Sequence, residues 1–176
     1  MQTLRTLALG LAIVLAGCRI PFISVDPAAV AQLRDASGRV VGKAVLAQDN
    51  GSVRIVLDVT GLTKGDKGVH IHEVGKCDPP GFESAGDHFN LTKAQHGSAN
   101  PKGPHAGDLP NITIDANGRG HLEATLKRVS IEKGSASLFD ADGSAIVIHA
   151  DPDDLRTDPS GNSGARIACG VIVRGN

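Results

Sequence analysis

Val40-Val41-Gly42-Lys43-Ala44-Val45-Leu46-Ala47-Gln48-Asp49-Asn50-Gly51-Ser52-Val53-Arg54-Ile55-Val56-Leu57-Asp58-Val59-Thr60 decides the fold. Asp49-Asn50-Gly51 separates two apolar runs. Asn-Gly in that setting is a strong hairpin signal, because both residues tolerate the positive φ that a tight hairpin turn needs. Beyond the turn, Val53, Ile55, Leu57 and Val59 alternate with Arg54, Val56, Asp58 and Thr60. Successive strand residues point to opposite faces, so one face of this strand is wholly apolar and should line a core.

The same pattern extends in both directions. Upstream, from about Ala28, Val30 and Leu33 form a weaker run that ends at the Ser37-Gly38 turn. Downstream, Val69-His70-Ile71-His72, Ile112-Thr113-Ile114, Gly120 to Leu126, residues 144–149 and residues 166–174 read as further strands. Asp115-Ala116-Asn117-Gly118 is the turn between two of them. No amphipathic segment longer than a turn or two argues for a helix. About eight short strands with turn signals between them predict an all-β antiparallel sandwich or barrel. With no Trp, no Tyr and four Phe, its core must be built mainly from Val, Ile, Leu and Ala. Residues 73–110 carry no sustained period, and a structureless stretch that long in a compact domain is usually functional. The formal net charge of −1 gives no sign of a nucleic-acid partner.

The N-terminus divides from the rest. Residues 1–17 have one basic residue, Arg5, and then a short apolar run, the form of a secretory signal. Residues 18–27, with Pro21 and Pro27, read as a tether, and residues 28–176 as one domain. Leu15-Ala16-Gly17-Cys18 resembles the lipobox of bacterial lipoproteins, which implies a lipid on Cys18. Cys77 and Cys169 then remain as an even pair in an exported chain, where a disulfide is expected. It would close a loop of about 90 residues and contribute roughly 4 to 5 kcal/mol in a chain-entropy model.

Six of the seven histidines carry the chemistry. His70 and His72, two apart on a strand, project from the same face and suit one metal ion. His88, His96, His105 and Asp108 lie in the irregular stretch, where the backbone can fold round an ion. Three imidazoles and a carboxylate make a closed tetrahedral zinc site. His149 ends a strand and would join His70 and His72 if the two strands are neighbours. Histidine-rich coordination with an open position suits a redox-active copper. His121 has no partner at ligand spacing and reads as a surface residue. Arg166, three residues before Cys169, could hold a small anion by charge and hydrogen bonds. The plain alternatives are solvated histidines and an ordinary surface arginine.

Taken together, these positions closely resemble the copper–zinc superoxide dismutases over residues 28–174. The matching segments are Gly68-Val69-His70-Ile71-His72-Glu73, Ser84-Ala85-Gly86-Asp87-His88-Phe89-Asn90, His96, His105, Gly107-Asp108-Leu109, Val147-Ile148-His149 and Arg166-Ile167-Ala168-Cys169-Gly170-Val171. The resemblance implies an eight-stranded Greek-key β-barrel with a long metal-binding loop. It implies copper on His70, His72, His88 and His149, and zinc on His88, His96, His105 and Asp108, with His88 shared. It also implies a Cys77–Cys169 disulfide, anion guidance by Arg166, and an aspartate, Asp153, linking His70 to His96. Asp154 is the adjacent alternative for that aspartate.

The implied activity is disproportionation of superoxide to dioxygen and hydrogen peroxide, with Arg166 and His88 as catalytic residues. The implied place is the periplasmic side of the bacterial envelope, anchored through Cys18 and protecting against superoxide. Arg19 is not the aspartate that signals inner-membrane retention, which favours the outer membrane. Three features depart from the family pattern. Asp78-Pro79-Pro80-Gly81-Phe82 looks like an insert. The loop between His149 and Arg166 is short. The aromatic residues that bacterial members use at a dimer contact are largely absent, which leaves monomer and homodimer both open. The rivals are a non-catalytic metal-handling envelope protein and a structural β-sandwich lipoprotein.

Overall fold

The structure is a computed structural model that describes residues 28–175. Residues 1–27, read above as a secretory signal and a tether that includes Cys18, lie outside the described residues. Nine strands form one antiparallel sheet: β1 Ala29–Asp35, β2 Val40–Asp49, β3 Ser52–Val59, β4 Gly65–Lys67, β5 Val69–His72, β6 Ile112–Ile114, β7 Gly120–Leu126, β8 Ala145–His149 and β9 Arg166–Arg174. Their spatial order is β4-β6-β7-β3-β2-β1-β9-β8-β5. The two edge strands, β4 and β5, are consecutive in the chain and separated only by Gly68, so the sheet is nearly closed into a barrel. β3 pairs with β7 and not with β4, and β9 returns beside β1, which are the crossing connections of a Greek key. The only helical piece among the described residues is a 3-10 turn, Glu83–Ala85.

The hairpin that decides the fold forms as its sequence predicts. β2 and β3 pair from Gly42↔Val59 to Asp49↔Ser52, with Asn50 at φ 43° and Gly51 at φ 82°. Val53, Ile55, Leu57 and Val59 are all buried in the main core with Leu33, Leu46, Ile71, Ile112, Ile146 and Ile148. One strand goes beyond the expected set. Gly65–Lys67 carries no apolar alternation, and it pairs with β6 through Gly65↔Ile114 and Lys67↔Ile112. It and β5 form a single run interrupted at Gly68, whose backbone N–H instead donates to the Asp151 carbonyl.

Register places the site. β5 and β8 pair as Val69↔Ile148, His70↔Val147, Ile71↔Ile146 and His72↔Ala145. Directly opposed residues share a face. Val69, Ile71, Ile146 and Ile148 therefore enter the core, while His70, His72, Ala145 and Val147 face away from it. His149, two residues past Val147, joins that second face.

The long segment between β5 and β6 is laid across this face by backbone hydrogen bonds. Ile71 N–H donates to the Gly107 carbonyl, Phe89 N–H to the Ile71 carbonyl, and Gly107 N–H to the Phe89 carbonyl, each at 2.9 Å. A side chain on Gly107 would overlap the Ile71 carbonyl, so only glycine permits this approach. Phe89, Ala106 and Leu109 fix the segment to the main core. The backbone at Phe89, Gly107 and Leu109 is thus satisfied by β5, independently of any ion.

Candidate metal centre

All six histidines read as ligands are buried, with His70 and His96 fully enclosed. In most of them one ring nitrogen is tied up by the protein, which fixes where the other points. His70 Nε2–H donates to Asp153 Oδ2 at 2.8 Å, and His96 Nε2–H donates to Asp153 Oδ1 at 2.9 Å. His72 Nδ1–H donates to the Gly86 carbonyl at 2.9 Å, and His149 Nδ1–H to the Gly164 carbonyl at 3.1 Å. Of the remaining nitrogens, His70 Nδ1, His72 Nε2 and His149 Nε2 are buried without any hydrogen-bond partner, and buried His96 Nδ1 faces Asp108 Oδ1 at 3.1 Å. Each such atom costs about 1–3 kcal/mol if nothing binds it.

These atoms converge. One ligand atom from each of His70, His72, His88 and His149 lies within 4.8 Å of the others. His88 also belongs to a second group. Its Nδ1 is 3.0 Å from Asp108 Oδ1 and 3.3 Å from His105 Nδ1, and His96 Nδ1 is 3.1 Å from the same Asp108 oxygen. His105 Nδ1 lies 3.4 Å from it. A grouping of His70 with His88, His96 and Asp108 is equally compact. His105 is the better fourth member of this set, because its Nδ1 faces both His88 and Asp108, while His70 is drawn toward His72 and His149. Two sets of four donors sharing His88 fit two metal ions. Imidazole nitrogens suit copper, and three imidazoles with one carboxylate suit zinc.

Electrostatics keep the first set free of protons. Burial pushes His70 down to about 3, His72 to about 2 and His149 to about 4, and burial also lowers His88. Burial lowers His96 too, but the Asp108 and Asp153 carboxylates outweigh it and hold the imidazole up to about 9. Burial raises both of those carboxyls. Hydrogen bonds outweigh it, from His105, His88 and His96 to Asp108 and from His70 and His96 to Asp153, and both sit well below the usual carboxylate range.

Asp153 is 4% exposed and bridges the two sets, whereas Asp154 is exposed and caps the Arg156–Thr157 turn. The bridging aspartate is therefore Asp153. A side chain on Gly161 would overlap its Oδ1. Cys77 and Cys169 form a disulfide with a Cα–Cα distance of 5.6 Å. It brings β9 against the metal-binding segment, where Arg166 donates to the carbonyls of Phe82 and Gly86, both at 2.8 Å. Arg166 then lines an open channel with His72, His88, His105 and His149, whose wall also carries Glu73, Asp87, Lys93 and Asp158. The Gly86, Gly164 and Phe82 carbonyls were not foreseen, since a backbone acceptor leaves no mark on residue type. His121 is exposed as expected, but it is not without a partner: its Nδ1 sits 2.7 Å from Asp58 on the neighbouring strand.

The model of the family described as "Copper/zinc superoxide dismutase (SODC)" matches residues 40–172. The chain belongs to the copper/zinc superoxide dismutase family. It is 48% identical over 144 residues to Superoxide dismutase [Cu-Zn] 1 of Aquifex aeolicus, covering 81% of this chain and 85% of the relative. It is 42% identical over 147 residues to Superoxide dismutase [Cu-Zn] of Caulobacter vibrioides, covering 82% and 84%. Among solved structures, that of a SOD-like protein from Bacillus subtilis superposes with a TM-score of 0.78 at 41% identity, covering 82% of this chain and 97% of that one. Family membership accounts for the barrel.

Proposed function

We propose that this protein disproportionates superoxide to dioxygen and hydrogen peroxide. The observation that carries this is the pair of donor sets sharing His88, with their free nitrogens buried and convergent. His70, His72, His88 and His149 would hold copper, and His88, His96, His105 and Asp108 would hold zinc. Copper, when bound, supplies a one-electron couple between two oxidation states, while zinc has none.

The chain's own residues do the rest. Asp153 takes the Nε2–H of both His70 and His96 and so turns their Nδ1 atoms toward the two donor sets, as outer hydrogen-bond partners of a metal site do. The Gly86 and Gly164 carbonyls do the same for His72 and His149, leaving Nε2 free. Arg166, braced by two carbonyls, places a positive charge on the channel and raises the local concentration of a small anion. His88 keeps Nδ1 toward Asp108, so Nε2 can hold a proton and pass it to the reduced oxygen species. Two superoxide ions and two protons give one dioxygen and one hydrogen peroxide; His88 delivers one proton and water the other.

Export and anchoring complete the proposal. Residues 1–17 direct secretion, Cys18 takes a lipid, and the domain of residues 28–176 works on the periplasmic side of the envelope, at the outer membrane, against superoxide there. The Cys77–Cys169 disulfide supports an oxidising compartment. Metal analysis with a dismutation assay on protein loaded with both metals tests the function. One copper and one zinc per chain, with activity lost on copper removal, is expected. Both metals bound without dismutation would leave a metal-handling protein instead.

A further inference from the structure

A second carboxylate outside both donor sets, Asp158, stands beside His96 and His105. The loop of residues 150–165 rests on the segment that follows His96: Ala99 N–H donates to the Leu155 carbonyl at 2.8 Å, and Asn100 Nδ2 to the Arg156 carbonyl at 3.1 Å. Asp158 adds a charged contact to this band, besides that of Asp153 with the His96 ring. Its Oδ1 accepts the His96 backbone N–H at 2.6 Å. The same oxygen lies 3.6 Å from His105 Nε2, close enough for a charge to act though longer than a hydrogen bond. His105 thus stands between two carboxylates, with Asp108 on its Nδ1 side and Asp158 on its Nε2 side.

We infer that Asp158 is a positioning residue for the zinc set, fixing the His96 backbone and setting a carboxylate charge beside the outer nitrogen of His105. A carboxylate beside the outer nitrogen of a ligand imidazole orients the ring and strengthens it as a metal donor, as Asp153 does for His70 and His96. Asp158 does this from the channel wall with a side chain 46% exposed, so its electrostatic effect is smaller than that of the enclosed Asp153. The two aspartates, five residues apart on one loop, between them reach His70, His96 and His105.

This assignment rests on the zinc site proposed above, and its test is binding, not turnover. Metal-free protein is titrated with zinc against a chromophoric chelator, and with cobalt(II) to record its visible bands. Asp158→Ala is expected to weaken zinc binding about tenfold, the lower end of the usual range for such partners. Asp158→Asn keeps an acceptor for His96 N–H but removes the charge beside His105. It should weaken binding by a smaller factor and still shift the cobalt bands. The unfolding midpoint of metal-free Asp158→Asn should stay near that of the parent, since it keeps the acceptor for His96 N–H, whereas Asp158→Ala, which leaves that N–H unpaired, should lower it. Binding within about twofold of the parent for Asp158→Ala, or an Asp158→Asn variant identical to the parent in both affinity and spectrum, overturns the assignment alone. A parent protein that takes up no zinc overturns the zinc site itself, and Asp158's role with it.

Discussion

At the scale of single residues, the site is a set of protonation states imposed by burial. The unfolded chain protonates histidine near 6.5, whereas native His70, His72 and His149 sit at about 3, 2 and 4 in the metal-free protein. Below pH 6.5 the unfolded state therefore binds more protons, and stability must fall as pH drops from there toward 4. His96 acts oppositely: held up at about 9, it contributes stability below 6.5 that is lost as pH rises through 9. Four lowered imidazoles, His88 among them, against the raised His96 and His121 make the acid limb the steeper. Urea unfolding of metal-free protein from pH 7 to 4.5 should show a falling midpoint, and a flat midpoint would contradict the assigned environment. Arg166 is testable at the same scale. Arg166→Gln should retain both metals, slow dismutation about tenfold at low salt, and lose much of the salt dependence of the rate. Unchanged rates would remove its role.

The residues that converge were legible because residue type and spacing carry them. His70 and His72 sit two apart on a strand, and no other side chains in the loop offer three imidazoles and an acid. Which nitrogen each ring presents was not legible, because the Gly86 and Gly164 carbonyls decide it for His72 and His149 through tertiary contact. The His121–Asp58 pair was missed for a related reason: it depends on the β3–β7 register, which no local pattern encodes.

At the scale of elements, two pairings build the centre. The β5–β8 register puts His70, His72 and His149 on one face, and the disulfide ties β9 to the segment carrying Phe82 and Gly86. Alternation in Val53–Val59 made β3 plain from sequence, and Val147-Ile148-His149 marked β8. The three residues of β4 did not show, since Gly65-Asp66-Lys67 holds its place through β6 and through closure of the barrel, not through apolar periodicity. The disulfide spans a sequence separation of 92 residues. Cys77→Ser with Cys169→Ser should cost about 2–5 kcal/mol in denaturant unfolding. It should also loosen Arg166 from its two carbonyls, so dismutation should fall with metal content nearly intact. Unchanged stability and activity would show that β9 and the loop hold together without the bridge.

At the scale of the whole molecule, a barrel nearly free of aromatics holds a rigid polar centre on its outer face. Its core relies on close-packed aliphatics such as Leu33, Leu46, Ile55, Leu57 and Ile146, all fully buried. Ile55→Ala, in the middle of β3, should cost about 2–5 kcal/mol by denaturant titration. A smaller loss would mean the core can collapse around the gap. Closure through Gly68 matters equally, because it brings Asp153 on the 150–165 loop against His70. The barrel thereby makes one unit of two donor sets drawn from separate parts of the chain.

The central claim is that those two sets share His88. Anomalous diffraction at the copper and zinc absorption edges, on crystals of protein loaded with both metals, tests it most directly. The account predicts two peaks flanking the His88 ring, zinc on the Nδ1 side beside His96, His105 and Asp108, and copper on the Nε2 side beside His70, His72 and His149. A single peak, or two peaks neither of which contacts His88, would contradict it.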